Sequence, residues 1–347
     1  MIPDHWTTGS VCVVAMSGIG DTVHTLPVLA ALKRHAPACR ITCILQPGGA
    51  ALALGHPAID LPVVFRRQRG LWAAYRALRS ELREPFDLVV DLNVAAKASV
   101  ATAMLRAPVK LGFDSARARE LNWLVTTHRI PPHAPQHVQD QYFEFLDALD
   151  VPNESVEWHL GPWPLERDAQ RAFFAGFERP VVTLVIGTSD PEREWIPERW
   201  AELSDALFER HGLQSVLAGG RSPRELETER AILARTRHRP VSALGQSLRD
   251  LVGLLEGSAL VVSLDTAPLH MSVALDRPVI MLAGSWNPKR TGPYRRFHDL
   301  IVDAYGDPGE DYPISTEKRK DRMRRIRVED VLAKVERWRS AYAPAAG

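Results

Sequence analysis

The stretch SVCVVAMSGIGDTVHTLPVLAALKRHAPACRITCIL, residues 10–45, decides the fold. SVCVVAM is a continuous apolar run of strand length, SGIGD a glycine-bearing turn, and TVHTLPVLAALKRH an apolar-faced helix. RITCIL is a second strand. Strands apolar along their whole length, not at alternate positions, belong to parallel sheets covered on both faces. A strand, a helix and a second parallel strand form a right-handed crossover.

Outward from this unit the alternation repeats. PVVF (62–65) reads as a short strand, residues 68–83 as a helix, and FDLVVDL (86–92) as a buried strand. KASVATAMLR (97–106) is helical and VKLGF (109–113) closes another unit. Between Val151 and Arg179 the pattern gives way to polar sequence punctuated by Pro152, Pro162 and Pro164, the expected inter-domain region. It restarts with the strands VVTLVI (181–186) and LQSVLAGG (213–220), separated by the helix PERWAELSDALFERHG. The helices PRELETERAILART (223–236) and SLRDLVGLLEGS (247–258), the strands ALVVSLD (259–265) and PVIMLAG (278–284), and the helix VEDVLAKVERWRSAY (328–342) follow. The expected fold class is α/β, two Rossmann-like doubly wound domains facing across a cleft. Their expected spans are 1–165 and 166–325, with 326–347 as a terminal helix.

A chain of 347 residues suits two domains. The 43 lysines and arginines nearly balance the 42 aspartates and glutamates, so no nucleic acid partner is expected. No apolar run reaches the ~18 residues of a spanning helix, and the N-terminus has no secretory h-region. Cys12, Cys39 and Cys43 read as free buried thiols, and the cytoplasm as the compartment.

Three motifs fall where strands run into helices, the place where open α/β sheets bind ligands. In SGIGD, Gly18 and Gly20 imitate a dinucleotide fingerprint, but position 23 is valine where a third glycine belongs, and RITCIL ends at Gln46 without an acidic residue. The dehydrogenase reading therefore loses. Asp21 stands at the mouth of the first helix, either as a cap or as a base beside a turn open to a second molecule. Asp265 and Thr266 end a strand just before a helix, with Ala267 next and His270 four residues after Thr266. Amides there suit an anion, and Asp265 reads as an organiser of the turn, because its charge would repel a phosphate. The loop IGTSDPEREW holds Thr188 and Arg193, whose planar fork suits phosphate oxygens.

Taken together, residues 17–37, SDPEREWIPERWAEL (189–203) and residues 248–294 resemble the bacterial glycosyltransferase family of the lipopolysaccharide inner-core heptosyltransferases, glycosyltransferase family 9. The resemblance implies a GT-B fold whose C-terminal helix crosses back to the first domain. It implies inverting transfer from an ADP-sugar, heptose foremost, without metal or other cofactor. Asp21 maps onto the family's base and Arg193 onto its donor-phosphate contact. Asp265, Thr266, Ala267 and His270 map onto its pyrophosphate turn, with Thr188 also on the donor side. Two departures bear on the donor: Ala267 stands where glycine is usual, and Gly284-Ser285-Trp286-Asn287-Pro288 carries a tryptophan where threonine is common.

FRRQRGLWAAYRALRSELR, residues 65–83, holds six arginines against one glutamate. The default for such a run is a solvated face, and the next option a membrane-surface helix. The resemblance makes Arg66, Arg67 and Arg69 contacts for an anionic saccharide or lipid-linked acceptor, joined by Gly20, Lys97, Arg117 and Arg119. His128, His133 and His137 have no metal-ligand spacing, and no D-x-D pair offers a metal-chelated diphosphate. A monomer is expected, with peripheral membrane association if the acceptor is a lipid. A relative with another donor or a non-lipid acceptor, a sugar-nucleotide epimerase and a non-catalytic nucleotide-sugar binder remain as alternatives.

Overall fold

The computed structural model describes residue 2 and residues 4–68, 70–120 and 122–343. The chain divides into two compact units, Met1–Ala134 with Val138–Leu160, and Pro135–His137 with Gly161–Gly347.

The first unit is built on β1 (Ser10–Ala15), β2 (Arg40–Leu45), β3 (Leu61–Val64), β4 (Leu88–Asp91), β5 (Val109–Gly112) and β6 (His128–Arg129). Its helices are α1 (Ile19–His35), α2 (Pro47–Leu52), α3 (Leu71–Glu81), α4 (Ala96–Met104) and α5 (Val138–Asp147). The strand order is β3-β2-β1-β4-β5-β6, every pairing parallel. Val11, Val13, Val14, Val89 and Val90 have no exposed surface, as strands covered on both faces require. The helix expected over 68–83 starts at Leu71, because Gly70, at φ 91°, occupies the N-cap in a conformation that disfavours any other residue.

The second unit repeats the plan with β7 (Val181–Val185), β8 (Gln214–Ala218), β9 (Val241–Ser242), β10 (Leu260–Leu264), β11 (Val279–Ala283) and β12 (Ile301–Asp303). Its helices are α6 (Arg167–Phe174), α7 (Pro197–His211), α8 (Pro223–Leu233), α9 (Leu248–Gly257), α10 (Ala267–Ala274), α11 (Pro288–Thr291) and α12 (Val328–Ala341). Read from the other edge, the order β9-β8-β7-β10-β11-β12 matches that of the first sheet. Helix α12 packs on α7, β11 and β12.

In both sheets the order in which strands are added thus reverses once, between β1 and β4 in the first unit and between β7 and β10 in the second. A crevice opens beyond the carboxyl ends of the strands at such a reversal, and ligands of open α/β sheets bind there. The turn with Asp21 follows β1, Lys97 follows β4, the loop with Arg193 follows β7, and Asp265–Thr266 follows β10. Cys12, Cys39 and Cys43 are buried and free, with burial pushing the Cys43 thiol up to about 12. Among the described residues no helix is long and apolar enough to cross a membrane, and no group of three or more His, Cys, Asp or Glu is placed to hold a metal ion.

Candidate functional site

In the first unit the turn after β1 is pinned from behind. Gln46 Nε2 donates to the carbonyls of Met16 and Ser17, both at 2.9 Å. Gln46, standing where the dinucleotide pattern wants an acidic residue, is therefore the residue that fixes the turn. Asp21 is half-buried at the third position of α1, and its carboxylate accepts the Gly18 N–H at 3.2 Å. Gly18 has φ −71°, open to any residue, and a Cβ there would meet only the Asp21 carboxylate at 3.8 Å. Neither backbone nor packing requires glycine at 18; its effect is to leave space beside a carboxylate. Gly20 is half-buried in the first turn of the same helix.

Lys97 lies in the first turn of α4, and α3 holds it in place: the Tyr75 hydroxyl donates to its carbonyl at 2.8 Å. Burial, the positive charge of Arg67 and, in the opposite sense, the Asp21 carboxylate set its ammonium below the usual lysine range. Lys97, Arg67 and Asp21 therefore share one electrostatic neighbourhood. Arg66, Arg67 and Arg119 are exposed, and Arg69 lies outside the described residues. Arg117 is engaged within the fold: it pairs with Asp114, donates to Glu144 at 2.8 Å and to the Pro131 carbonyl at 3.0 Å, and stacks over Phe113.

Two carboxylates here escaped the sequence reading. Glu120 accepts the Ala96 N–H at the start of α4. Asp91, fully buried at the end of β4, accepts from Thr102 Oγ1 at 2.7 Å, Asn122 Nδ2 at 3.0 Å and the Asn93 N–H at 3.1 Å. Burial lifts its carboxyl to about 6 in spite of those three donors.

In the second unit the loop after β7 is set residue by residue. Thr188 Oγ1 accepts the Asp190 N–H at 3.2 Å, and Asp190 Oδ1 caps the single turn 191–193 through the Glu192 N–H at 3.2 Å. Trp195 anchors the far end, buried edge-on against Trp200 with Nε1 donating to the Ile326 carbonyl at 3.0 Å. Arg193 is thereby delivered to the end of β10. It donates to the Asp265 carbonyl, stands 3.8 Å from the Asp265 carboxylate, and stacks 5.2 Å over the Trp286 ring. Its Nε is buried without a hydrogen-bond partner.

The Asp265 carboxylate faces inward, taking the Thr291 hydroxyl at 3.1 Å; burial raises its pKa, against the pull of Arg193 and Thr291. Beyond it α10 starts with Thr266 as N-cap, Ala267 next, no side-chain cap and Pro268 in the first turn. The neighbouring α8 and α9 have Ser222 with Glu225 and Ser247 with Asp250 as capping boxes. The Leu269 N–H turns back to the Thr266 carbonyl at 3.0 Å, so the Thr266 and Ala267 amides are the ones left to an anion. His270 is half-buried one turn further along. A second cation, Lys318, completes the cluster: it pairs with Asp190 at 2.7 Å and lies 5.0 Å from the Trp286 ring, so the indole is flanked by two positive charges. Lys318 and Asp190 are 128 residues apart, and nothing local in the sequence pairs them.

The first unit thus holds a half-buried carboxylate near a lysine, and the second holds a helix start without a side-chain cap next to Arg193. The profile of glycosyltransferase family 9 (heptosyltransferase) matches residues 75–308. The lipopolysaccharide core heptosyltransferase OpsX of Haemophilus influenzae is 28% identical over 341 residues, covering 94% of this chain and 96% of that protein. Lipopolysaccharide heptosyltransferase 1 of Pseudomonas aeruginosa is 31% identical, with 82% of this chain and 81% of that protein covered. The solved structure of the E. coli heptosyltransferase WaaC with ADP superposes with TM-score 0.75 at 24% identity, covering 94% of this chain and 99% of that one. Two Rossmann-ordered sheets and this likeness make the fold GT-B, and the chain is a glycosyltransferase that belongs to family 9.

Proposed function

We propose that the enzyme moves heptose from ADP-heptose to a hydroxyl of the lipopolysaccharide inner core, with inversion and without a metal ion. The observation that carries this reading is the uncapped start of α10 beside Arg193 and Lys318: open amides and two cations suit a diphosphate. The relatives named as lipopolysaccharide heptosyltransferases, and the WaaC structure with ADP, supply the sugar, acceptor class and base.

In the proposed step Asp21 takes the proton from the acceptor hydroxyl, whose oxygen attacks the anomeric carbon. The bond to the diphosphate breaks on the opposite face, and ADP leaves with the electron pair. Thr266 and Ala267 amides and the Arg193 guanidinium meet the growing negative charge, while His270 and Thr188 border the donor. Lys97, with Arg66 and Arg67, draws in the anionic acceptor. Arg117 acts on that side by holding the segment 113–119 in shape through Asp114 and Glu144.

The test is transfer from ADP-heptose to heptose-free core saccharide in the presence of EDTA, with the product anomer read by NMR. Inverted product with undiminished turnover supports the proposal. Retention of configuration would overturn the single displacement, and turnover of UDP- or GDP-sugars instead would discard the donor while keeping the family.

A further inference from the structure

On an α-helix each residue turns about 100°, so Trp72, Arg76 and Arg79 of α3 fall within roughly 60° of one another. All three are exposed, Trp72 at 76%, while Ala74 and Leu78 are buried on the far side of the helix and Tyr75 is buried beside the stripe, with its ring edge-on to Trp72 at 6.4 Å. Glu81, the helix's acidic residue, lies about 180° from Trp72, off this stripe. Leu71, 45% exposed, widens the apolar end of the stripe at the helix start, where the exposed Arg66 and Arg67 precede it. A large exposed indole beside a row of arginines is costly in water and suited to an interface with an apolar side and an anionic side.

We propose that α3 docks the enzyme on a bilayer bearing anionic headgroups, with the Trp72 indole at headgroup depth and Arg76 and Arg79 against lipid phosphates. The occupant follows from charge complementarity: the sequence over residues 65–83 carries six arginines against one glutamate, a balance that suits a negative surface, and an indole seeks the boundary between water and acyl chains. The inference rests on the lipid-linked acceptor proposed above and deepens it. Helix α3 also carries Tyr75, which fixes the Lys97 backbone, so the docking element and the acceptor-side lysine form one piece.

The experiment is co-sedimentation of the full-length protein with acceptor-free vesicles of phosphatidylglycerol and phosphatidylethanolamine, against pure phosphatidylcholine. Turnover on a deacylated core saccharide is measured in parallel. The wild type should sediment with the anionic vesicles and be released at high salt. Arg76→Gln with Arg79→Gln should lower partitioning roughly 10-fold or more, at about five-fold per arginine. Trp72→Ser should lower it several-fold, and turnover on the deacylated acceptor should stay unchanged in both variants. Equal sedimentation of variants and wild type, or no sedimentation with anionic vesicles, would overturn the proposal. Loss of turnover on the deacylated acceptor would overturn it too, making the stripe a saccharide site. Failure of ADP-heptose transfer in the wild type would instead strike the proposed function, because vesicle binding is read without donor or acceptor.

Discussion

Replacing Arg193 by alanine separates two tasks that its geometry combines. The first is structural. The Asp265 carboxylate is 7% exposed and has Arg193 at 3.8 Å and the Thr291 hydroxyl at 3.1 Å. Removing one partner of a buried pair costs about 3–5 kcal/mol, and the retained Thr291 bond puts this case at the lower end. The cost has a pH signature. Asp265 already has a raised pKa, and loss of the opposing charge raises it further. A carboxyl raised in the folded state destabilises only where the unfolded chain is ionised. The variant's deficit is therefore small near pH 4 and grows as pH rises through the folded pKa. The second task is donor binding: a charge-assisted bond to phosphate is worth about 1.5–3 kcal/mol, or roughly 10- to 100-fold in ADP affinity. Thermal unfolding at pH 4.5 and 7.5 reads the first task, and calorimetric titration with ADP at 25 °C, where the variant remains folded, reads the second. Arg193→Lys keeps the charge and loses the fork and the stack on Trp286, so it should recover more stability than ADP affinity. Arg193→Ala binding ADP within two-fold of wild type while melting lower would refute the donor role and leave Arg193 as the counter-charge of Asp265.

Asp21→Ala should lower turnover roughly 10²-fold or more, with ADP affinity nearly intact, as single-turnover kinetics and titration would show; a normal rate ends the assignment of the base. Lys318→Ala removes a pair with a side chain 44% exposed, so stability should change by less than about 1 kcal/mol. ADP affinity should still fall several-fold, because Asp190 and the loop carrying Arg193 lose their tether; unchanged affinity in the titration would take Lys318 out of the donor site. Asp91, lifted to about 6 when folded, should destabilise the wild type by about 2 kcal/mol as pH rises from 4 to 7. Asp91→Asn should flatten that part of the profile, since the Asn122 amide, whose Oδ1 lacks a partner, can turn its oxygen to the new donor. Parallel stability–pH curves for the two proteins would exclude Asp91 as the titrating group.

Most of the parallel sheet was legible because its strands are apolar from end to end, and the turns that carry function lie where those strands stop. The elements that escaped are those whose stability comes from neighbours. Strands β6 and β9 have two residues each and exist only as edges added to a finished sheet. Helix α5 follows the prolines at 131, 132 and 135, and the sequence reading assigns no element between VKLGF and Val151. Arg117 is expected as an acceptor contact from the resemblance, and its pairing with Asp114, three residues away, and with Glu144, 27 residues away, is set by the fold. Lys318, Trp286 and Asp190 come together only after β10, β11 and the loop after β7 are aligned.

The donor side also shows why capping chemistry discriminates among helix starts that look alike in sequence. In the second unit α8 and α9 start with a serine whose hydroxyl takes the third amide, while a carboxylate three residues on returns the bond. At α10 the same place holds Thr266, whose hydroxyl points back to the Leu264 carbonyl at 3.5 Å, and the residue three positions on is Leu269, which can return nothing. Pro268 removes one further N–H without leaving an unsatisfied donor. Helices α7 to α11 each follow a strand of one sheet; α8 and α9 close their starts with a box and α11 with Asn287, while α7 and α10 have no side-chain cap. At α10 the Leu269 N–H turns back to the Thr266 carbonyl at 3.0 Å and the Thr266 and Ala267 amides stay open near Arg193, and a Thr266→Ser, Leu269→Glu double substitution, which would install the missing box, should weaken ADP binding by bringing the protein's own carboxylate to those amides. ADP affinity unchanged in a variant that shows the added cap by amide exchange would mean that the diphosphate lies elsewhere.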